Sequence, residues 1–345
     1  MDLTKLKEIL DREGQSSFRY KQAKKAVYSR LINSWDEASD LPENLKELLK
    51  KEVPVSSFKQ VRKQESEDSI KLLLATKDGQ FIETVLMNHK NNKKDKDAKG
   101  RNTVCVSSQA GCPMACSFCA TGKMGLKRNL TSEEIVDQVL EFARILKKED
   151  SKVNNVVFMG MGEPLHNYDN VMEAVRTLNN KDGFNLGIRH ISVSTCGIVP
   201  AIKKFADEDT QVNLAISLHA PNDEIRSSIM PVNKAYSIKK LLEAVDYYIK
   251  KTNRKVMFEY ILIKGVNDSE ENAEELAGLM KKPLYHVNLI KYHDTGVYKQ
   301  SPKEAGMRFF DTLKKAGVSV TFRVSFGEDI DAACGQLSTK ENKTN

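Results

Sequence analysis

Apolar side chains recur at helical spacing along the first fifty residues. Leu3, Leu6 and Leu10 stand three or four positions apart, and the same spacing continues from Phe18 to Leu31. This spacing collects the apolar side chains on one face and predicts amphipathic helices, with a third helix starting at Leu41-Pro42. We therefore interpret residues 1–68 as an N-terminal helical accessory domain.

Two strand-like runs follow these helices. Ser69–Thr76 and Phe81–Asn88 are separated by Lys77-Asp78-Gly79-Gln80, and Asp-Gly between such runs is a strong hairpin signal. The stretch from Lys90 to Arg101 then carries six basic and two acidic residues. Such a charge run is typical either of a solvated loop or of a loop that contacts phosphates. We interpret residues 69–97 as a β-hairpin and basic linker.

Beyond residue 98 the apolar pattern alternates between strands and helices. The predicted strands are Val104–Ser107, Asn155–Met161, His190–Thr195, Val212–His219, Lys255–Ile263, Tyr285–Tyr292 and Val318–Ser325. Alternation of this kind predicts a parallel sheet with crossover helices, hence an α/β fold with a partial or full (β/α) TIM-like barrel. We place this core barrel at residues 98–327, followed by a C-terminal segment at 328–345.

Composition narrows the class of protein. The 345 residues carry 54 Lys+Arg against 47 Asp+Glu, a modest net charge of +7. No apolar run approaches the roughly 18 residues of a membrane span, and the first residues lack a signal-peptide pattern. We expect a cytoplasmic protein without a membrane partner. Six cysteines are too few for a disulfide scaffold in a chain of this length and favour metal or redox roles.

Three of these cysteines form a C-x3-C-x2-C motif. Cys112, Cys116 and Cys119 stand close together, and no fourth cysteine or histidine follows closely. A structural zinc site takes four protein ligands, whereas three thiolates on an iron-sulfur cluster leave one iron open to react. The motif favours a catalytic cluster; the alternative is a zinc site completed by a distant fourth ligand.

Other chemically useful residues follow predicted strands, where a barrel carries its chemistry. Glycines, a carboxylate, hydroxyls and an amide would meet at one rim and suit a polar cofactor. Taken singly, the run Gly160–Pro164 is more typical of a plain turn, and His219 of a packed histidine. Cys196 fits a small buried apolar side chain, but Cys105 and Cys334 are harder to explain by packing.

Six sequence blocks, taken together, closely resemble the RNA adenine methyltransferases of the RlmN/Cfr family within the radical S-adenosylmethionine (SAM) superfamily. The blocks are Val104–Gln109, Cys112–Gly122, Lys127–Thr131, Phe158–Leu165, Ser217–Asn222 and Ala332–Leu337. They occur in the family's order, and the similarity extends from about Phe18 to Leu337. The resemblance implies a radical SAM barrel, preceded in the chain by a helical domain that binds RNA.

The resemblance also implies roles for single residues. Cys112, Cys116 and Cys119 would hold a [4Fe-4S] cluster. Cys334 would carry the methyl group taken from SAM, and Cys105 would release the product by forming a disulfide with it. Glu83 would accept a proton from the adenine ring. The positions that would contact SAM are Gly162, Glu163, Ser194, Ser217, Leu218, His219 and Asn288.

The implied reaction is methylation of carbon 2 of adenine 2503 in 23S ribosomal RNA, and of adenine 37 in transfer RNAs. Glu163-Pro164 matches this C2 branch, but Ser325-Phe326-Gly327 resembles the antibiotic-resistance branch, which methylates C8. C8 methylation therefore remains an alternative. A non-catalytic RNA-binding or ribosome-assembly factor with a structural metal is the alternative from another class. The remaining expected partner is an electron donor such as flavodoxin or ferredoxin, and we expect a monomer.

Overall fold

Three helices open the chain, as the apolar spacing predicts. They are α1 (Leu3–Arg12), α2 (Ser17–Tyr28) and α3 (Glu43–Glu52). Each buries its apolar face, for example Leu6 and Ile9 of α1 and Leu45 and Leu49 of α3. The computed structural model describes residues 1–89 and 100–339. Most of the basic stretch and the last six residues of the C-terminal segment therefore lie outside the described residues.

The predicted hairpin is part of a larger antiparallel unit. Strands β2 (Ser69–Thr76) and β3 (Phe81–His89) pair as expected, but β1 (Phe58–Glu65) pairs with β2 as well. The assignment of residues 58–65 to a helical segment is thus wrong. Most β1 side chains are exposed at the edge of the sheet, so the apolar alternation that marks a half-buried strand is missing from its sequence.

Ten strands form one sheet in the order β1-β2-β3-β4-β7-β8-β9-β10-β11-β12. The barrel strands are β4 (Arg101–Cys105), β7 (Asn155–Phe158), β8 (Ile191–Thr195), β9 (Asn213–Ser217), β10 (Val256–Leu262), β11 (Tyr285–Lys291) and β12 (Val320–Phe322). These seven run parallel, and β3 joins them antiparallel to β4. Because β1 and β12 remain edges, the α/β fold is a partial barrel.

Helices connect the barrel strands and cover the outside of the sheet. They are α4 (Ser132–Lys147), α5 (Tyr168–Asn179), α6 (Val199–Asp207), α7 (Asp223–Ile229), α8 (Ile238–Thr252), α9 (Glu270–Leu279) and α10 (Lys303–Lys315). The order Thr131-Ser132-Glu133-Glu134 predicts a helix N-cap, and this prediction is confirmed: the Thr131 hydroxyl accepts from the Glu134 amide at 3.3 Å, while the Glu134 carboxylate accepts from the Thr131 amide at 2.9 Å.

A small second sheet lies beside the barrel mouth. Strands β5 (Gln109–Gly111) and β6 (Leu126–Asn129) pair antiparallel and enclose the cysteine motif. The main sheet runs unbroken from the N-terminal strands into the barrel, so the hairpin is packed as an extension of the barrel. Over the described residues, no helix has both the length and the apolar character needed to cross a membrane.

Candidate active site

The three motif cysteines lie on the loop between β5 and β6, at the carboxyl end of the barrel. Two glycines allow this loop to fold tightly. Gly111 has φ +76°, and a Cβ there would lie 1.9 Å from the Gly125 carbonyl oxygen, while a Cβ on Gly122 would lie 2.9 Å from that of Cys116. Neither position admits a side chain without moving the loop.

Backbone contacts fix the cysteine loop against the C-terminal segment. The Ala120 amide donates to the Gly335 carbonyl oxygen at 2.8 Å, and the Thr121 hydroxyl donates to the Leu337 carbonyl oxygen at 2.6 Å. Both bonds hold residues that follow Cys334, which lines the same cavity as Cys112, Cys116 and Cys119. The fold therefore brings the expected methyl carrier beside the expected cluster ligands, more than 200 residues away along the chain.

Glu163 lies at the floor of this cavity with both oxygens occupied. Oε2 accepts from the Cys196 amide at 2.7 Å, and Oε1 accepts from the Leu165 amide at 2.9 Å. Burial raises the pKa of the Glu163 carboxyl. Gly162 beside it has φ +102°, and a Cβ there would lie 2.7 Å from Gln109, so this turn needs glycine. The run Gly160–Pro164 is thus a tight turn that also lines the cavity.

Ser194, Ser217 and His219 line the opposite wall. The His219 ring is buried and its Nδ1 accepts from the Ile261 amide at 3.1 Å. Burial and the nearby Arg226 lower the pKa of His219 to about 3. The ring is therefore neutral at physiological pH, with the proton on Nε2, and is a packed histidine that also faces the cavity.

Cys105 and Cys334 line a second cavity that adjoins the first. Cys105 ends β4 and is buried, and burial together with the neighbouring Cys334 raises the pKa of its thiol to about 12. Cys334 is half-buried, and Gly335 after it has φ +85°. Both thiols are free, so the disulfide that the resemblance implies is not formed here.

Glu83 lies outside both cavities. Its carboxylate is buried in β3, 3.3 Å from the Lys71 ammonium, and its Oε2 accepts from the Ser338 amide at 2.8 Å. An acidic residue on a hairpin is usually exposed to solvent, whereas Glu83 is buried. It holds the segment just after Cys334 against the hairpin.

Two further expected SAM contacts also lie behind the cavity walls. Leu218 is fully buried between the lining residues Ser217 and His219. The Asn288 side chain donates to Glu259 Oε1 at 3.0 Å and accepts from the Thr321 hydroxyl at 2.8 Å. In this geometry Asn288 orients Glu259, which does line the cavity.

The cysteine loop suits a cluster better than a single metal ion. Tetrahedral zinc with Zn–S bonds of about 2.3 Å would bring its sulfurs to roughly 3.8 Å from one another. Among the described residues, the one trio of Cys, His, Asp or Glu ligand atoms that converges within 4.8 Å is an exposed acidic group, Asp36, Glu43 and Glu47. The motif sulfurs are spread more widely, as several irons require. Burial raises the pKa of the Cys112 thiol to about 12, so binding must displace its proton.

Three charged residues at this site, the buried Arg226 and Glu259 and the half-buried Arg323, carry no sequence signal that would single them out. Arg226 is fully buried and donates to the Cys196, Ser217 and Leu218 carbonyl oxygens at 2.6, 3.2 and 3.1 Å. It thereby fixes the ends of β8 and β9. Glu259 and Arg323 form an ion pair at 3.5 Å between the two cavities.

Comparisons with known proteins agree with this geometry. The model of the Radical SAM superfamily matches residues 106–277, the cysteine loop and the first part of the barrel. A "Probable dual-specificity RNA methyltransferase RlmN" from Bacillus pumilus is 47% identical over 345 residues, covering 99% of this chain and 93% of the relative. The protein of the same name from Staphylococcus carnosus is 46% identical over 341 residues, covering 98% and 91%.

A solved structure is similar over the same extent. The crystal structure of a radical SAM methyltransferase from Sphaerobacter thermophilus superimposes with a TM-score of 0.92 at 44% sequence identity. The match covers 99% of this chain and 98% of the other. The accessory helices, the hairpin and the barrel therefore have counterparts in that methyltransferase.

Proposed function

The chain belongs to the RlmN family of radical SAM methyltransferases, and we propose that it methylates carbon 2 of adenine in RNA. Enzymes of this class use a [4Fe-4S] cluster and SAM. The observation that carries the proposal is the meeting of the three motif cysteines with Cys105 and Cys334 at two adjoining cavities, with Cys334 and Cys119 lining both and Cys105 lining the second. A structural metal site would need neither Cys105 nor Cys334.

The cysteine triad and the polar wall have separate tasks in this proposal. Cys112, Cys116 and Cys119 would hold the cluster, which would supply an electron for the reductive cleavage of SAM that removes a hydrogen atom from a methyl group on Cys334. Gly162 is proposed to contact SAM through its backbone, while its lack of a Cβ makes room for Gln109. The other residues proposed to bind SAM are Glu163, Ser194, Ser217, Leu218, His219 and Asn288. Of these, the buried Leu218 would act through its backbone groups, and Asn288 would act through Glu259, which it orients.

Cys334 acts as the nucleophile. Adenine C2 is electron-poor and does not attack the methyl of SAM, whereas a thiolate does. Cys334 therefore takes the methyl first and then joins it to the ring. The Cys105 thiolate then attacks the Cys334 sulfur and the sulfur–carbon bond to the base breaks, so that a disulfide joins the two cysteines while the released carbon keeps the bonding pair and takes up a proton to become the methyl group. Glu83 is proposed to accept the ring proton, and its bond to the Ser338 amide keeps it beside the segment that carries the methyl.

The RNA substrates are proposed to be adenine 2503 of 23S ribosomal RNA and adenine 37 of transfer RNAs. Relatives named dual-specificity RNA methyltransferases support two substrates. We propose that residues 1–68 are the RNA-binding accessory domain. Residues 98–327 would then be the barrel, and residues 328–345 the segment that carries the methyl group. The target base must leave its stack to reach Cys334.

Nucleoside mass spectrometry tests the proposal. Ribosomal and transfer RNA from a strain lacking the native enzyme are incubated with cluster-loaded protein, SAM and a reductant. We expect 2-methyladenosine with the wild type and none with Cys334→Ala. Finding only 8-methyladenosine would replace C2 by C8 chemistry, and product formation by the alanine variant would exclude Cys334 as the carrier.

A further inference from the structure

A third cavity of about 370 Å³ lies at the amino-terminal ends of the barrel strands and along the open side of the sheet. Arg101 and Asn155 begin β4 and β7 there, and Asn213 begins β9. The cysteine cavities lie at the carboxyl ends of the same strands. This basic cavity, as we call it, is therefore separate from the site where SAM is proposed to bind.

The walls of the basic cavity are polar where a barrel interior is normally apolar. Branched apolar side chains fill most barrels of this type, but the barrel-strand residues that line this cavity include the polar Thr103, Asn155, Ser192 and Asn213 beside Val157 and Met257. Asn155 Oδ1 is 2.9 Å from His190 Nδ1, and its amide donates to the Thr103 hydroxyl at 3.4 Å. The cavity thus presents positioned hydrogen-bonding groups to whatever enters it.

Basic side chains surround these polar walls. Arg101, Arg189 and Arg323 line the cavity together with His89 and His190, and none of the described residues that line it is acidic. A cavity with this lining attracts anions.

Two of the arginines have no carboxylate partner among the described residues. Arg189 Nε donates to the neutral Gln211 side chain at 2.7 Å, and Arg101 Nη2 lies 3.5 Å from His89 Nδ1. Within residues 1–89 and 100–339, no carboxylate forms an ion pair with Arg101 or Arg189. Arg323, by contrast, pairs with Glu259 at 3.5 Å.

The arginines also lower the pKa of a histidine in the cavity. Burial lowers the pKa of His89 to about 4, and Arg101 and Arg323 add to this effect. The neutral His89 ring packs edge-on against the Phe326 ring, with the two ring centroids 4.4 Å apart. Phe326 and Met87 form an apolar side of the cavity, and Val324 beside them is 70% exposed. An apolar side close to these guanidinium groups suits a ligand with both a flat apolar part and a phosphate.

The basic cavity also adjoins the cavity of Cys105 and Cys334. Met87, Arg323, Val324 and Phe326 line both. A nucleotide bound in the basic cavity would therefore lie next to a base that reaches Cys334.

We propose that the basic cavity binds a phosphate and its attached nucleoside from the RNA, adjacent to the target adenine. This inference rests on the proposed function, and it adds the place where a neighbouring nucleotide is held. The same phosphate chemistry could be supplied by a free mononucleotide, which the experiment separates from RNA.

The test compares the double variant Arg101→Gln/Arg189→Gln with Arg308→Gln, which changes an exposed arginine on α10 outside the cavity. A fluorescent 23S ribosomal RNA fragment containing the target adenine is titrated over a salt series. We expect the double variant to bind about 5–20-fold more weakly, with a salt slope lower by about 0.7, since the one phosphate proposed to bind here contributes about 0.7 in single-stranded RNA. The control should stay within about twofold, and thermal unfolding checks that both variants fold.

Three outcomes are informative. Equal RNA binding by the double variant and the Arg308→Gln control overturns the proposal. Adenosine monophosphate is titrated in parallel. If the double variant loses binding of adenosine monophosphate while its RNA binding is unchanged, the cavity is assigned to a free mononucleotide and the RNA assignment is overturned. If wild-type protein binds RNA through these arginines but forms no methyladenosine, the proposed function fails while the cavity assignment stands.

Discussion

Glu163 should stabilise the fold even when no SAM is bound. Its two oxygens accept from the buried Cys196 and Leu165 amides at 2.7 and 2.9 Å. A glutamine has the same shape but only one oxygen. In Glu163→Gln one of these amides therefore faces a side-chain NH₂ group and loses its acceptor.

The size of the effect follows from these contacts. A hydrogen bond to a charged acceptor contributes about 1.5–3 kcal/mol, and a buried donor left without a partner costs about 1–3 kcal/mol. Burial, which raises the pKa of Glu163, opposes this loss because a neutral amide is less costly to bury than a carboxylate. We expect the free energy of unfolding to fall by about 2 kcal/mol.

Urea denaturation of the cluster-loaded protein without SAM measures this change. Glu243→Gln is the matched control, because Glu243 is exposed on α8 and such surface changes stay within about 0.5 kcal/mol. If Glu163→Gln is as stable as the control, the backbone does not depend on the carboxylate. Glu163 would then act on the ligand alone.

Three further predictions follow from the site. Gly162→Ala should lower the free energy of unfolding in urea by about 1–3 kcal/mol, because its φ is +102° and a Cβ would meet Gln109 at 2.7 Å. Gly278→Ala is the control: nothing lies within 4 Å of a Cβ at that position, so this variant should be neutral or stabilising in the same measurement. Cys105→Ala should accumulate covalent protein–RNA adducts on denaturing gels during turnover, and their absence would count against its role in release. Because burial lowers the pKa of His219 to about 3 from about 6.5 in the unfolded chain, only the unfolded chain binds the extra proton between these values. The wild type should therefore lose about 2 kcal/mol more stability than His219→Asn between pH 6.5 and pH 5, and equal losses would contradict the neutral assignment.

Local signals predicted much of the fold. The Asp-Gly turn placed β2 and β3 almost to the residue, and Thr131 marked the start of α4. The alternation of apolar runs predicted all seven barrel strands within a few residues of their ends. Signals failed where an element is short or exposed: α7 spans only seven residues, and β1 lies at the edge.

Long-range contacts explain what the sequence alone could not predict about the site. Residues directly after strands were predicted to meet at one rim, and Ser194, Ser217 and His219 do line one cavity. The burial of Glu83 depends on the Ser338 amide, 255 residues away. Arg226 likewise binds carbonyl groups of two different strands, and nothing in its local sequence marks it.

The central claim is that the methyl group reaches RNA by way of Cys334, and isotope labelling tests it most directly. SAM with a trideuterated methyl group is supplied, and the methylated adenosine is weighed by mass spectrometry. Loss of one deuterium on the carrier before the bond to the ring forms predicts a product methyl with two deuteriums and one hydrogen. A product that keeps all three deuteriums would show direct transfer from SAM and contradict the account.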